Sequence, residues 1–287
     1  MRYSWGELEV DIICESVAEF FLASEFFPQF DANAIVHRRE RLQPGFLTSD
    51  NRLRLSIHSW LLRAGDLNIL IDTCVGNQKK RPSITQWNQA EFSYLDGLTE
   101  TGCSVEDIDI VMCTHLHVDH VGWNTTLINE KWVPTFKNAE YLFAKDEWKY
   151  TEQQSSKDPH YNEFFIDSIE PIKEAGLIRF VETNEIIWEE VTLEPTLGHT
   201  PGHVSVRIES EGEKAAITGD FLHHPSQMEK LDWESIADWD ANLAKETRRK
   251  KLKEYSEEDI LVFGTHFASP SAGKVIKKGD HFEFDVK

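Results

Sequence analysis

The sequence predicts a layered α/β fold whose functional groups stand at the ends of buried strands. Short apolar runs of strand length recur along the chain as meanders mixed with helical stretches, not as a strict strand–helix alternation. Hydrophobic residues make up 40% of 287 positions, with 9 Trp and 17 Phe, enough core for one large domain or two small ones. Clusters of His and Asp follow directly on several apolar runs, where loops on a rigid scaffold carry chemistry.

Taken in order, residues 8–14 alternate as an opening strand. A Phe-rich segment follows with Phe20, Phe21, Phe26, Phe27 and Phe30, broken by Pro28 and ending near Pro44-Gly45. Such a segment reads as a folded-over loop or short helix. Residues 15–50 are then either a core or dimer contact, or a lid over an apolar pocket, within a single domain spanning 1–287. Residues 56–62 and 67–71, joined through Ala64-Gly65-Asp66, read as a hairpin, and the stretch from Asp72 to Asn77 leaves its second strand. Residues 92–101 form a short helix closed by Gly102, and Ser104 with Asp107 caps the next turn. Strands are expected over 108–113 and 138–144, then a helical acidic region to about Ala175. Further strands follow over 178–181, 191–195, 204–208 and 215–218. A helix over about 239–255 and a strand over 260–263 precede a tail with Phe282-Glu283-Phe284.

Charge narrows the function. A net charge of −20 repels a phosphate backbone, so no nucleic-acid partner is expected. The basic stretch Arg248-Arg249-Lys250-Lys251 reads as a solvated helix face. The first residues lack the apolar core of a signal peptide, and no run of 18 apolar residues exists, so the expectation is a cytoplasmic protein with no membrane partner. Cys14, Cys74, Cys103 and Cys113 are scattered, without C-x-x-C spacing, and read as reduced, partly buried thiols.

The densest chemistry is His115-Leu116-His117-Val118-Asp119-His120, four metal-ligand side chains in six positions after a strand. Imidazole nitrogens and carboxylate oxygens are what Zn²⁺ accepts, and a turn after a buried strand can aim several at one point. Three other strand ends offer the same residue types. Gly198-His199-Thr200-Pro201-Gly202-His203 has glycines that allow tight turns beside a ligand; Thr218-Gly219-Asp220 and Gly264-Thr265-His266 complete the set.

These four motifs, in this order over roughly residues 53–266, resemble the metallo-β-lactamase-fold hydrolases. The resemblance implies a four-layer αββα sandwich of two ββα-rich halves. It implies that His115, His117 and His199 hold one metal, that Asp119, His120 and His266 hold a second, and that Asp220 bridges both. Two metals about 3.5–4 Å apart share a hydroxide and clamp both sides of a tetrahedral transition state. One of them also polarises the scissile oxygen. Zn²⁺ is expected first, although His/Asp sites also accept Mn, Fe or Co. Asp72 resembles a carboxylate that the family uses near the metal turn, and is expected either to orient a ligand or to cap its turn. His203 is expected to brace its turn. In the acyl-homoserine lactonases of the family a Tyr stands three residues after the bridging Asp. This chain has His223 there, expected to line the pocket and assist the oxyanion or leaving group. Asp119, Asp220 and His223 are thus the expected catalytic residues.

Branches of the family can be weighed. Its commonest β-lactamases use Cys where this chain has Asp220, and are exported. RNA-cutting branches need a basic surface. Glyoxalase-type thioesterases carry a helical domain after the last His, whereas 21 residues follow His266 here. Mono-iron dioxygenases lack second-site ligands, and flavo-diiron members carry a fused flavodoxin domain. What remains is hydrolysis of a lactone or carboxylic ester, with organophosphotriester hydrolysis as the alternative. A non-hydrolytic metal-binding or redox protein on the same fold is the alternative of another class. Phe20, Phe21, Phe26, Phe27 and Trp123 suit an apolar small-molecule substrate.

Overall fold

The computed structural model describes residues 2–5, 8–38, 42 and 45–286. Pro44, where the Phe-rich segment was expected to end, lies outside them. The chain divides into two compact units, Met1–Ser16 with Ile57–Thr183, and Val17–Ser56 with Asn184–Lys287.

In chain order the first unit's strands are β1 (Arg2–Trp5), β2 (Leu8–Ala18), β3 (Leu55–Ala64), β4 (Leu67–Ile71), β5 (Ile110–Met112), β6 (Thr125–Ile128), β7 (Lys131–Pro134), β8 (Glu140–Ala144) and β9 (Ile178–Val181). Its main sheet has the order β1-β2-β3-β4-β5-β8-β9, and β6 pairs with β7 as a separate hairpin. The expected hairpin is present as antiparallel β3 and β4. From β4 onward the sheet is parallel. The β4–β5 register sets Ile71 beside Met112 and so brings the residues that follow the two strands together. The expected cap is also present, with the Ser104 N–H donating to Asp107 Oδ2 at 2.8 Å.

The second unit has β10 (Ile186–Trp188), β11 (Val191–Pro195), β12 (Val204–Ser210), β13 (Glu213–Ile217), β14 (Leu261–Phe263), β15 (Ala272–Lys278) and β16 (His281–Asp285), paired in sequence order. β13 and β14 are parallel and the other pairs antiparallel. Pairing of Pro195 with Val204 makes residues 196–203 the connecting loop, and pairing of Ile217 with Phe263 aligns two further strand ends. The core of this unit includes Phe26, Phe27, Ile35, Phe46, Leu222, Met228, Leu252 and Val262, so much of the Phe-rich segment is packed inside it.

Several expectations need correction. The acidic helical region is three helices, Lys145–Ser155, Pro159–Phe164 and Glu170–Glu174, with a π-helical turn at Phe165–Ile169. Pro159 and Pro171 lack the N–H that an uninterrupted helix would use. β6 and β7 were not anticipated, because their turn uses Asn129 and Glu130 at φ +50° and +63° in place of an Asn-Gly signature. β1, β10 and β15 also escaped notice, being short or rich in charge.

The largest correction concerns the basic stretch. Helix Ala241–Glu257 buries Ala244, Arg248, Lys251, Leu252 and Tyr255, so the stretch is split: Arg249 and Lys250 are exposed as expected, and Arg248 and Lys251 are not. Spacing decides this. Arg248 falls four residues from Ala244 and from Leu252, on the stripe that faces the core.

Candidate metal centre

In the first unit the ligand turn follows β5 and is held from two sides. The Asp72 N–H donates to Met112 O at 2.9 Å, and the Thr73 N–H donates to His120 O at 2.8 Å. The Asp72 carboxylate, only 2% exposed, accepts from the Thr114 N–H at 2.7 Å and from Thr114 Oγ1 at 2.9 Å. Buried Glu147, from helix Lys145–Ser155, accepts the Leu116 N–H at 3.0 Å. The turn therefore needs no water to satisfy these backbone donors.

On this frame His115 Nε2 and His117 Nδ1 stand 3.1 Å apart. Two nitrogens about 2.0–2.1 Å from one tetrahedral Zn²⁺ would be roughly 3.3 Å apart. The far nitrogens are occupied: His115 Nδ1 lies 3.1 Å from Thr114 Oγ1, and His117 Nε2 lies 3.3 Å from the Tyr161 hydroxyl. His120 Nδ1 meets Asp72 Oδ2 at 3.0 Å, while its Nε2 lies 3.7 Å from Asp119 Oδ1. Asp72 thus contacts His120 in the way expected of an orienting carboxylate.

Beneath this turn Glu15 accepts the Trp123 Nε1–H at 2.7 Å, the Gly76 N–H at 3.0 Å and the Val75 N–H at 3.1 Å. Burial pushes its carboxyl up to about 7, against these three donors. Trp123 is buried and stacks on Tyr94 with centroids 5.3 Å apart, so its ring packs internally instead of forming an apolar front.

In the second unit Asp220 follows β13 in a turn, and its N–H donates to His203 Nε2 at 2.7 Å. His203 Nδ1 pairs with Thr196 Oγ1 at 2.8 Å, so this His braces the turn as expected. Asp220 Oδ2 lies 3.6 Å from His199 Nε2, 3.2 Å from His266 Nε2 and 3.2 Å from His223 Nε2. The far nitrogens of the two expected ligands are again held. His199 Nδ1 meets Asp238 Oδ1 at 3.0 Å, and His266 Nδ1 donates to Ser56 O at 3.0 Å. A side chain at Gly198, where φ is +128°, would meet the Ala244 N at 2.3 Å, so only glycine lets the His199 loop lie against helix Ala241–Glu257.

One rule covers all five expected ligand imidazoles. One ring nitrogen is fixed by a protein partner, and the other faces a second ligand-type atom. Neutral imidazole with a fixed tautomer is the form that binds a cation, so this donor set fits divalent metal. His223 breaks the rule. Its Nε2 faces Asp220, yet its buried Nδ1 has no hydrogen-bond partner among the described residues. Its ring packs edge-on to Phe26 at 5.3 Å, whereas Phe27 is fully buried. Sequence reasoning missed Asp238, since no local motif marks it. Glu15, Glu147 and Tyr161 were missed for the same reason.

The sequence matches the family model described as the metallo-beta-lactamase superfamily over residues 52–266. An N-acyl homoserine lactonase of Bacillus cereus is 26% identical over 243 residues, covering 80% of this chain and 88% of that protein. Two solved structures, AidC, a dizinc quorum-quenching lactonase in complex with a product, and the hydrolase AbOPH, each align at a TM-score of 0.81 and 21% identity, covering 100% of this chain and 97% of theirs. At that identity the likeness to the two structures is one of fold.

Proposed function

The chain belongs to the metallo-beta-lactamase superfamily, with its α/β fold, and from that premise we propose that this hydrolase is dinuclear and opens lactones or carboxylic esters. The observation that carries the reading is the imidazole rule: five histidines, each with one nitrogen held and one offered. Two divalent metals suit this donor set, with zinc as the first choice and Mn, Fe or Co as alternatives. His115, His117 and His199 are assigned to one ion, Asp119, His120 and His266 to the other, and Asp220 to both. When bound, such ions supply hydroxide at neutral pH and polarise a carbonyl.

The chain's own groups do the rest. Asp72 and Asp238 fix His120 and His199 as neutral donors of one lone pair each. Asp119 and Asp220 supply negative charge that holds the cations. His223, between Asp220 and the Phe26 ring, faces substrate and serves the carbonyl oxygen or leaving group. Lactone preference is supported by the homoserine lactonase relative, and Phe26 suits an apolar acyl portion. Within 15–50, Phe26, Phe27, Ile35 and Phe46 pack in the core, and the lid or dimer-contact reading is kept for the remainder of the segment. A cytoplasmic setting is supported by four free cysteines, and among the described residues no helix is long and apolar enough to cross a membrane.

A pH-indicator assay tests this with lactones, aryl esters and phosphotriesters, on metal-loaded and chelated protein. Lactone turnover that disappears with chelator is the expected result. Turnover of triesters alone would move the assignment to phosphotriester hydrolysis, and no turnover in loaded protein would contradict a hydrolytic role.

A further inference from the structure

Helix Ala241–Glu257 carries a guanidinium that contacts two separate parts of the second unit's candidate site. Arg248 is fully buried. Its Nε donates to Phe221 O at 3.2 Å, in the turn that presents Asp220. Its Nη1 donates to Leu231 O at 3.1 Å and to Trp233 O at 2.8 Å, in the loop leading to Asp238. Its Nη2 stands 4.0 Å from Asp238 Oδ2, and neither side chain is exposed. Asp238 Oδ2 also accepts the Ser235 N–H at 2.9 Å, and Oδ1 meets His199 Nδ1 at 3.0 Å.

We propose that Arg248 is a positioning residue of the metal centre, acting through Asp238 to hold His199 as a metal-binding imidazole. The inference rests on the reading of His199 as a ligand. A buried carboxylate is held in place by the donors and cations around it, and Arg248 supplies the cation beside Asp238. Asp238 accepts the His199 Nδ1–H, which fixes the tautomer, aims the Nε2 lone pair toward Asp220 and raises its basicity. An apolar residue of similar volume would leave the Phe221, Leu231 and Trp233 carbonyls without this donor and Asp238 without the cation it faces.

Zinc affinity, measured by competition with a chromophoric chelator, tests the proposal on wild type, Asp238→Asn, Arg248→Met and the double variant. Asp238→Asn is expected to bind its weaker zinc about 10–100-fold less tightly, and Arg248→Met to lose a similar factor. The double variant is expected to bind no more weakly than Asp238→Asn alone, because the guanidinium acts through the carboxylate. Arg248→Lys should recover part of the loss, and the visible spectrum of the cobalt-loaded Asp238→Asn protein should shift. If Arg248→Met does not fold, Arg248→Lys takes its place in the cycle. Losses that simply multiply in the double variant, or wild-type affinity in Asp238→Asn, would overturn the proposal. A wild-type chain that takes up fewer than two ions defeats the ligand assignment, and this inference with it. Two ions in wild type with unaltered variants defeats this inference alone.

Discussion

His224 is buried with both ring nitrogens engaged: Nε2–H donates to Phe46 O at 2.7 Å, and Nδ1 accepts the Ser226 N–H at 3.1 Å. That pattern needs a neutral ring, and burial pushes its pKa down to about 4. Between that value and the ordinary value near 6.5, the unfolded chain binds the extra proton. The His224 contribution to stability is therefore full above about pH 6.5 and is lost as pH drops toward 4, by about 3 kcal/mol, while Glu15, raised to about 7, acts in the opposite sense over much of the same window. Urea denaturation of chelated protein across this window should show the stability advantage of wild type over His224→Gln shrinking by that amount as pH drops; a difference that does not change with pH would assign the proton elsewhere. Its neighbour His223 has a different part. His223→Ala is expected to keep both metals and to lower kcat by roughly 10²-fold. Loss of metal in that variant would make His223 a ligand and end its assigned role.

At the scale of elements, the ligand turn of the first unit depends on a close approach. A Cβ on Gly122 would fall 1.9 Å from Val75 C and O, in the loop that carries Asp72. Gly122→Ala should cost about 3 kcal/mol and weaken metal binding together, because the two loops can no longer close on each other. Calorimetry with a zinc titration checks both; a loss of stability at unchanged affinity would separate the loop contact from the ligands. Farther along, Arg81 and Asp167, both buried, join residues 79–81 to the π-helical turn with contacts of 2.8 and 2.9 Å. Asp167→Ala leaves a buried cation without its carboxylate and is expected to cost about 3–5 kcal/mol, read from urea denaturation. A change below about 1 kcal/mol would place that pair among the weak surface bridges.

For the whole molecule, what could be read in advance follows the distance over which each signal acts. The His115–His120 motif is local, and the strand before it is apolar throughout, so both were legible. The hairpin of β3 and β4 and the strand ends at Asp220 and His266 were legible for the same reason. Asp238 lies 39 residues from His199, and nothing in its own neighbourhood distinguishes it from a surface Asp. Arg248 carried two opposed signals, a charged run and a core-facing spacing, and the spacing prevailed. The Phe-rich segment announced burial without naming its partner; packing put both Phe26 and Phe27 in the core, with the Phe26 ring edge-on to His223. Metal should stabilise the folded chain by mass action, by about 3 kcal/mol at a hundred times the dissociation constant. Asp220→Ala should lose that gain and the activity together.

Elemental analysis of the metal-loaded chain, after removal of loosely held ions, tests the central claim most directly. Two equivalents of divalent metal per chain in wild type, and fewer in Asp220→Ala, are expected. One equivalent or none in wild type would contradict a dinuclear centre.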